Sequence, residues 1–278
     1  MRNDFGVMIC SHGRADSVTS YDVLREQGYT GKIIIVIDDE DNQEAVYRIN
    51  YENVEMFCKE DYFQSSDGVI QGKQKAILYA RNACYDIAEK LGFKFFVEMD
   101  DDFDGIHTRY VENGMLKSAK VSSLDDLFEG MIELYEHEKV RSLSLAVQGD
   151  YIGGTESRGV KQGVMRTCVG GFFLLCTDRR IDWLSSMNED IATSLVYGQR
   201  GDLFLRLGVA MASSKPIGEN ESGMKEAYDR LSPFARAFIG CIVRPDCVTV
   251  RDKEKAQIQV SWDEAVPKIL SERWRKNA

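Results

Sequence analysis

Four aspartates fall within five residues, Asp100, Asp101, Asp102 and Asp104, directly after an apolar run that ends at Met99. The run from Phe93 to Met99 reads as a buried strand. Adjacent carboxylates at its end repel one another, and a cation or the donors of a ligand relieve that cost. The carboxyl ends of strands in an α/β sheet are where ligands bind. An Asp-x-Asp there suits a divalent metal holding a diphosphate, with Asp100 and Asp102 as ligands. The plainer alternative is a solvated acidic turn.

Other groups fall at corresponding places. Ser11, His12, Gly13 and Arg14 follow a strand over Phe5–Cys10. They offer a Gly, an Arg and backbone donors to an anion. Asp38 and Asp39 close the strand KIIIVI; a carboxylate there either accepts from a nucleobase or ribose, or is a solvated turn. Arg81 lies in a long helix beside its apolar face, and either reaches a diphosphate or pairs with a helix acid such as Asp86. Glu189 and Asp190 precede a helix. They either favour its N-terminus or take a proton from an acceptor hydroxyl. Gly170-Gly171 either admits a sugar to the backbone or marks a bulge. His12 and His107 border these groups, and His137 reads as surface.

Strands at Phe5, Lys32, Val54 and Phe93 alternate with helices, the pattern of a βαβ sheet. The first, second and fourth should bring their polar ends to one edge. The helix before the acids spans Gln74 to Lys90, with Ile77, Ala80, Ala83, Cys84 and Ile87 on one side. The second half is less regular. The spacing predicts a hairpin over Gly105–Lys120 turning at Asn113-Gly114, and a helix over Leu124–Glu138 capped by Ser122 or Ser123. Strands are expected over Ser142–Val147, Val169–Cys176, Phe204–Ala212 and Gln257–Val260. Further helices fall over Ser232–Val243 and, with basic character, from Ala265. Gln148–Gly163 and Ser213–Lys225 read as polar loops. One domain is expected over 1–278, with a nucleotide-sugar half (1–120) and an acceptor half (121–278).

The formal net charge of −10 disfavours generic nucleic-acid affinity. The acid excess lies upstream of Lys225, so a basic face remains compatible with an acidic protein. No apolar run approaches the roughly 18 residues of a membrane helix, and the N-terminus lacks a signal peptide's apolar stretch. The seven cysteines show no CxxC pair. Cys10, Cys84, Cys168, Cys176 and Cys241 read as buried thiols in a reducing compartment. No GxGxxG or Walker motif is present.

Taken in order, strand–SHGR–helix, IVIDDED, YARNACYDIA, FVEMDDDF and the later Glu-Asp resemble a GT-A glycosyltransferase, a Rossmann-like α/β fold with a mostly parallel mixed sheet. More closely, the chain resembles the bacteriophage TET/JBP-associated DNA glycosyltransferases, through IGENESGMKEAYD, SPFARAFIGCIVRPDCVTV and QVSWDEAVPKI as well. The resemblance implies transfer of a sugar from a UDP-sugar to a hydroxymethylated pyrimidine in phage DNA, in the host bacterial cytoplasm. It implies that Ser11, Gly13 and Arg14 hug the nucleotide, Asp38 or Asp39 meets the base, and Arg81 approaches the diphosphate. Asp100, flanked by Asp101, would contact ribose or metal. Asp102 would ligate Mn²⁺ or Mg²⁺, and Asp190 with Glu189 would act as base. GT-A enzymes often supply a late histidine to the metal. This chain has none after His137, so water, the diphosphate or an acid of 219–221 takes that place. For a DNA acceptor, Arg179, Arg180, Arg200, Lys215, Arg244, Arg273, Arg275 and Lys276 are the candidate phosphate contacts. Rival readings are a transferase for a glycan, protein or small molecule, a nucleotidyltransferase, and a binding module without catalysis.

Overall fold

The computed structural model describes residues 1–65, 77–167, 170–185, 187–214, 232–251 and 256–265. The expectations for Gln74–Ala76, Cys168, Val169, Lys215, the 219–221 acids and the tail after Ala265 fall outside those residues. The first strands are β1 (Phe5–Cys10), β2 (Lys32–Asp38), β3 (Val54–Phe57) and β4 (Phe95–Asp100). Then come β5 (Phe103–Glu112), β6 (Met115–Lys120), β7 (Ser142–Ala146), β8 (Val164–Met165), β9 (Phe172–Cys176) and β10 (Phe204–Ser214). They form one sheet in the order β3-β2-β1-β4-β9-β7-β10-β5-β6, with β8 beside β10. A separate pair, β11 (Val248–Arg251) and β12 (Gln257–Val260), follows; β11 had no clear pattern in the sequence.

β3, β2, β1 and β4 are mutually parallel. The β-branched run of β2 is buried on both faces, as parallel strands covered by helices require. This parallel block carries Ser11–Arg14, Asp38–Asp39 and Asp100–Asp102 to one edge, the mouth. Helices α1 (Thr19–Glu26), α2 (Glu44–Asn50), α3 (Ile77–Leu91) and α4 (Leu124–Glu138) flank the sheet. Side chains alternate along each strand. Val7, Ile9, Val97 and Met99 therefore pack with Leu24 of α1 and Phe128 and Tyr135 of α4. Met8, Cys10 and Phe96 face α3 on the other side. Ser123 caps α4, its Oγ accepting from Asp126 N at 3.3 Å.

Two features depart from the sequence reading. Residues 148–163 are folded: they hold two 3-10 turns and the short helix α5 (Arg158–Gln162). Asp150 anchors this segment by pairing with the buried Arg206 at 2.9 Å. In addition, β9 runs antiparallel to β4, with Phe95 opposite Cys176 and Met99 opposite Phe172. The start of β9, not its end, lies at the mouth. After it come α6 (Glu189–Gln199), α7 (Pro233–Val243) and α8 (Trp262–Ala265). Of the described cysteines, Cys10, Cys84, Cys176 and Cys247 are buried, Cys241 is half-buried and Cys58 is exposed; none is in a disulfide. No described helix is long and apolar enough to cross a membrane.

Candidate active site

Arg81 organises the acids. It leaves α3 with 2% of its surface exposed. Its guanidinium donates to Glu98 Oε1 (2.8 Å), Asp100 Oδ1 (3.1 Å) and Glu189 Oε1 (3.2 Å). The ring faces of Phe173 and Trp183 pack on it, with centroids at 4.9 and 5.2 Å. One fixed cation thus joins the strand that ends in Asp100 to the helix that begins at Glu189. The sequence reading set Arg81 against a diphosphate. In the structure three of its N–H groups go to carboxylates beneath the mouth. The alternative partner, Asp86, pairs instead with Arg180.

Three carboxylates exceed one guanidinium in charge, and the acids respond. Burial pushes Glu98 up to about 7, against the pull of Arg81. Its Oε2 is buried with no hydrogen-bond partner. Desolvation by its packed surroundings pushes Asp100 up to about 6; Arg81 opposes the shift, and Asp102, Asp101 and Asp190 add to it. Burial and Asp190 push Glu189 up to about 7 in the same way. Burial also raises Asp190, although its Oδ2 accepts from Gly170 N at 2.8 Å and its Oδ1 from Ile191 N at 2.7 Å. One guanidinium therefore does not offset the crowding and burial of these acids, and they hold their protons more readily than free carboxyls.

Gly171 makes room for this arrangement. A Cβ there would stand 2.0 Å from Asp100 Oδ2, and Asp100 N donates to Gly171 O at 2.9 Å. The glycine pair thus serves the aspartates: Gly171 takes the Asp100 carboxylate against its Cα, and Gly170 holds Asp190.

Asp101, 4% exposed, points away from its neighbours. It accepts from Ser11 Oγ at 2.6 Å and Arg14 Nη1 at 2.5 Å, locking the loop after β1 to the end of β4. That loop is held from the other side too. Gly13 N donates to Asp41, Arg14 N to the Tyr47 hydroxyl and Ala15 N to Gln43, at 2.7–2.9 Å. The sequence reading offered these donors to an anion; the structure spends them on α2 and the turn before it. Gly13 adopts φ +66°, which a side chain would strain.

Asp38 Oδ2 meets His12 Nδ1 at 2.6 Å, and its Oδ1 meets Lys59 Nζ at 3.1 Å. Burial alone would raise its pKa, but His12 and Lys59 hold it down to about 2. Asp39 is exposed, its Oδ1 accepting from Lys59 N at 3.0 Å.

Carboxylate oxygens are the hard donors that Mn²⁺ or Mg²⁺ takes. Asp100 and Asp102 stand two residues apart at the crowded acid end of β4, so the residues fit such a cation. Among the described residues no group of three or more His, Cys, Asp or Glu is arranged to hold a metal. Two aspartates would leave the other positions to ligand oxygens and water.

The antiparallel β9 sets where the candidate phosphate contacts lie. Thr177–Arg180 follows Cys176, which is opposite Phe95 at the amino end of β4. Arg179 and Arg180 therefore lie five residues, about 17 Å, from the acid end. Arg179 donates to Val140 O, and Arg200 stacks on Tyr197 just before β10 enters at that far edge. Arg244 is clamped by Asp246. Sequence reasoning also missed Glu98, although a charge two residues before Asp100 in an apolar strand must share its face. Tyr47, Gln43 and Trp183 carried no local signal.

No curated protein is significantly similar to the chain in sequence. Among solved structures, glucosyl-3-phosphoglycerate synthase from Mycobacterium tuberculosis, in complex with Mn²⁺, UDP-glucose and phosphoglyceric acid, is similar at 12% identity and a TM-score of 0.45. That match covers 96% of this chain and 88% of the other. The same enzyme with phosphoglyceric acid alone aligns at 11% identity and a TM-score of 0.49, covering 93% and 87%. GalNAc-T7 with UDP, GalNAc and Mn²⁺ aligns at 12% and 0.45, covering 81% of this chain and 47% of that one. A family model decides the assignment. The one described as TET-Associated Glycosyltransferase matches residues 5–223, which take in the whole large sheet and every mouth acid, so the chain belongs to that family and is a glycosyltransferase.

Proposed function

We propose that the enzyme moves a sugar from a UDP-sugar to the hydroxyl of a hydroxymethylated pyrimidine in phage DNA, with Mn²⁺ or Mg²⁺ bound by Asp102 and Asp100. The observation that carries this reading is the shared cation. Arg81 holds Asp100, on the strand side, and Glu189, beside Asp190 on the helix side, around one opening. Donor chemistry and acceptor chemistry need that proximity. Family membership supports the reaction class, and the solved neighbours were crystallised with UDP-glucose or UDP and Mn²⁺.

A bound divalent ion supplies positive charge against the departing diphosphate. The chain's own groups do the rest. Asp100 is fixed by Arg81 and by the surface of Gly171. Asp101 keeps Ser11, Gly13 and Arg14 in register as the wall beside the nucleotide. Asp38 and Asp39 stand at the next strand end, where a base would lie. Asp190, its carboxylate fixed by two backbone N–H groups, takes the proton of the attacking hydroxyl, with Glu189 beside it. A base in duplex DNA must first leave the stack to reach this mouth.

The test supplies UDP-sugars and Mn²⁺ with a duplex containing 5-hydroxymethylcytosine, with an unmodified duplex, or with no DNA. Mass gain by the modified duplex alone is the expected result. UDP-sugar hydrolysis with no transfer to either duplex would move the acceptor to a glycan, protein or small molecule. Pyrophosphate release from nucleoside triphosphates would replace the reaction with nucleotidyl transfer. Asp102→Asn should abolish metal-dependent turnover; activity within about tenfold of the parent would remove the metal assignment.

A further inference from the structure

The hairpin of β5 and β6 begins one residue after Asp102, and neither the fold nor the mouth accounts for its outer half. β10 pairs with β5 only as far as Thr108. From Arg109 to Ser118 the two strands pair with each other and turn at Asn113 and Gly114, both in the left-handed region. The side chains on this ribbon are unusual for an acidic protein. Lys120 stands directly opposite His107, and Arg109 lies on the same face two residues on. None of Arg109, Lys117 and Lys120 meets a carboxylate among the described residues. Arg109 instead lies over the Tyr151 ring, 4.7 Å from its centroid. Its Nε and His107 Nδ1 are buried without hydrogen-bond partners, a state that calls for an explanation. The tip exposes Tyr110, Val111 and Met115 at 44%, 48% and 55%. The Gly154–Glu156 turn packs against β6 and brings α5, with Arg158 and Lys161, beside it. Residues 103–120 and 148–166 together hold six Lys and Arg against four Asp and Glu, whereas the whole chain holds 35 against 45.

We propose that this hairpin is the element that docks the acceptor duplex, with the His107–Arg109–Lys120 face receiving phosphates and the apolar tip entering the major groove. The assignment rests on the DNA reading of the acceptor. A substituent on C5 of a pyrimidine projects into the major groove, which admits a two-stranded β-ribbon. An enzyme that acts on such a substituent approaches from that side. His107 is five residues from Asp102, so the two Cα atoms are at most roughly 18 Å apart. Phosphates flanking the reacting nucleotide fall within that span. Charge complementarity selects nucleic acid as the occupant, and the exposed tip selects a groove over a flat surface.

The test compares the parent enzyme with the Arg109→Gln/Lys120→Gln double variant on the 5-hydroxymethylcytosine duplex, with affinity measured across a range of salt. Each phosphate contact contributes about 0.9 to the slope of log K against log salt, or roughly eightfold in affinity near 0.1 M salt. The double variant should lose about 1.8 from the slope and roughly 60-fold in affinity. UDP-sugar hydrolysis without DNA should stay within twofold, which shows the fold and mouth intact. Independently, the duplex should protect Lys120 of the parent enzyme from amine-reactive labelling. An unchanged slope, or equal labelling with and without duplex, overturns the docking assignment alone if the parent still modifies DNA. A parent that transfers sugar to no DNA overturns both this and the acceptor reading. Protection by an anionic glycan but not by the duplex reassigns the face to that polymer.

Discussion

Gly171→Ala tests the mouth with a single methyl group. The added Cβ would sit 2.0 Å from Asp100 Oδ2 and 2.6 Å from its Cγ. An ordinary contact begins near 3.4 Å, so the carboxylate must retreat by about 1.4 Å. It cannot swing freely, because Arg81 holds its other oxygen and its own N–H donates to Gly171 O. Gly171 does not adopt a positive φ, so the backbone tolerates alanine and the disturbance falls on Asp100. A displacement of about 1 Å in a positioned group costs on the order of a hundredfold in rate, or about 2.7 kcal/mol of barrier. The expected result is a hundredfold fall in metal-dependent UDP-sugar turnover, with weaker Mn²⁺ dependence and a melting temperature lowered by only a few degrees. Turnover within threefold of the parent would mean that Asp100 has room the structure denies it. The account of this glycine would then fail.

Three further outcomes follow from the same contacts. Arg81→Met strands Glu98, Asp100 and Glu189 without their counter-charge. It should cost about 3–5 kcal/mol in urea unfolding, part of which Glu98→Gln restores in the double variant; strictly additive effects would deny the coupling. Asp38 falls from 3.8 to about 2 on folding. Its folded pKa lies below the unfolded one, so its stabilisation is present above pH 4 and is lost as pH falls toward 2. Asp38→Asn should therefore cost about 2 kcal/mol at pH 7, and the gap from the parent should narrow at pH 3. Asp190→Asn should depress turnover far more than donor affinity, measured by UDP binding; equal losses would make Asp190 a structural residue.

The mouth was legible where sequence and direction coincide. An apolar run that stops at three aspartates identifies both a strand and its end, and β1, β2 and β4 follow that pattern. The helix carrying Arg81 was equally clear, but its partners were not. Glu98 and Glu189 meet it only because β4 and α6 converge, and no spacing records that. The apolar run FFLLC has no direction, so the reversal of β9, and with it the edge on which Arg179 and Arg180 lie, was invisible. Gln148–Gly163 looked like a loop because its glycines and polar residues outnumber its apolar ones. The pairing of Asp150 with Arg206, 56 residues on, folds it.

The order of strands has a consequence for how the enzyme is made. Asp100 and Gly171 share a hydrogen bond across 71 positions of chain, and β5 finds its neighbour β10 only after residue 204. During synthesis the aspartates therefore emerge long before the glycine that accommodates them. The ribbon that follows them must wait, one side open, through the production of some ninety more residues. The sugar-transferring mouth is among the last parts of the nascent protein to close, and a chain truncated before β10 would expose its acids and its ribbon without assembling a catalyst.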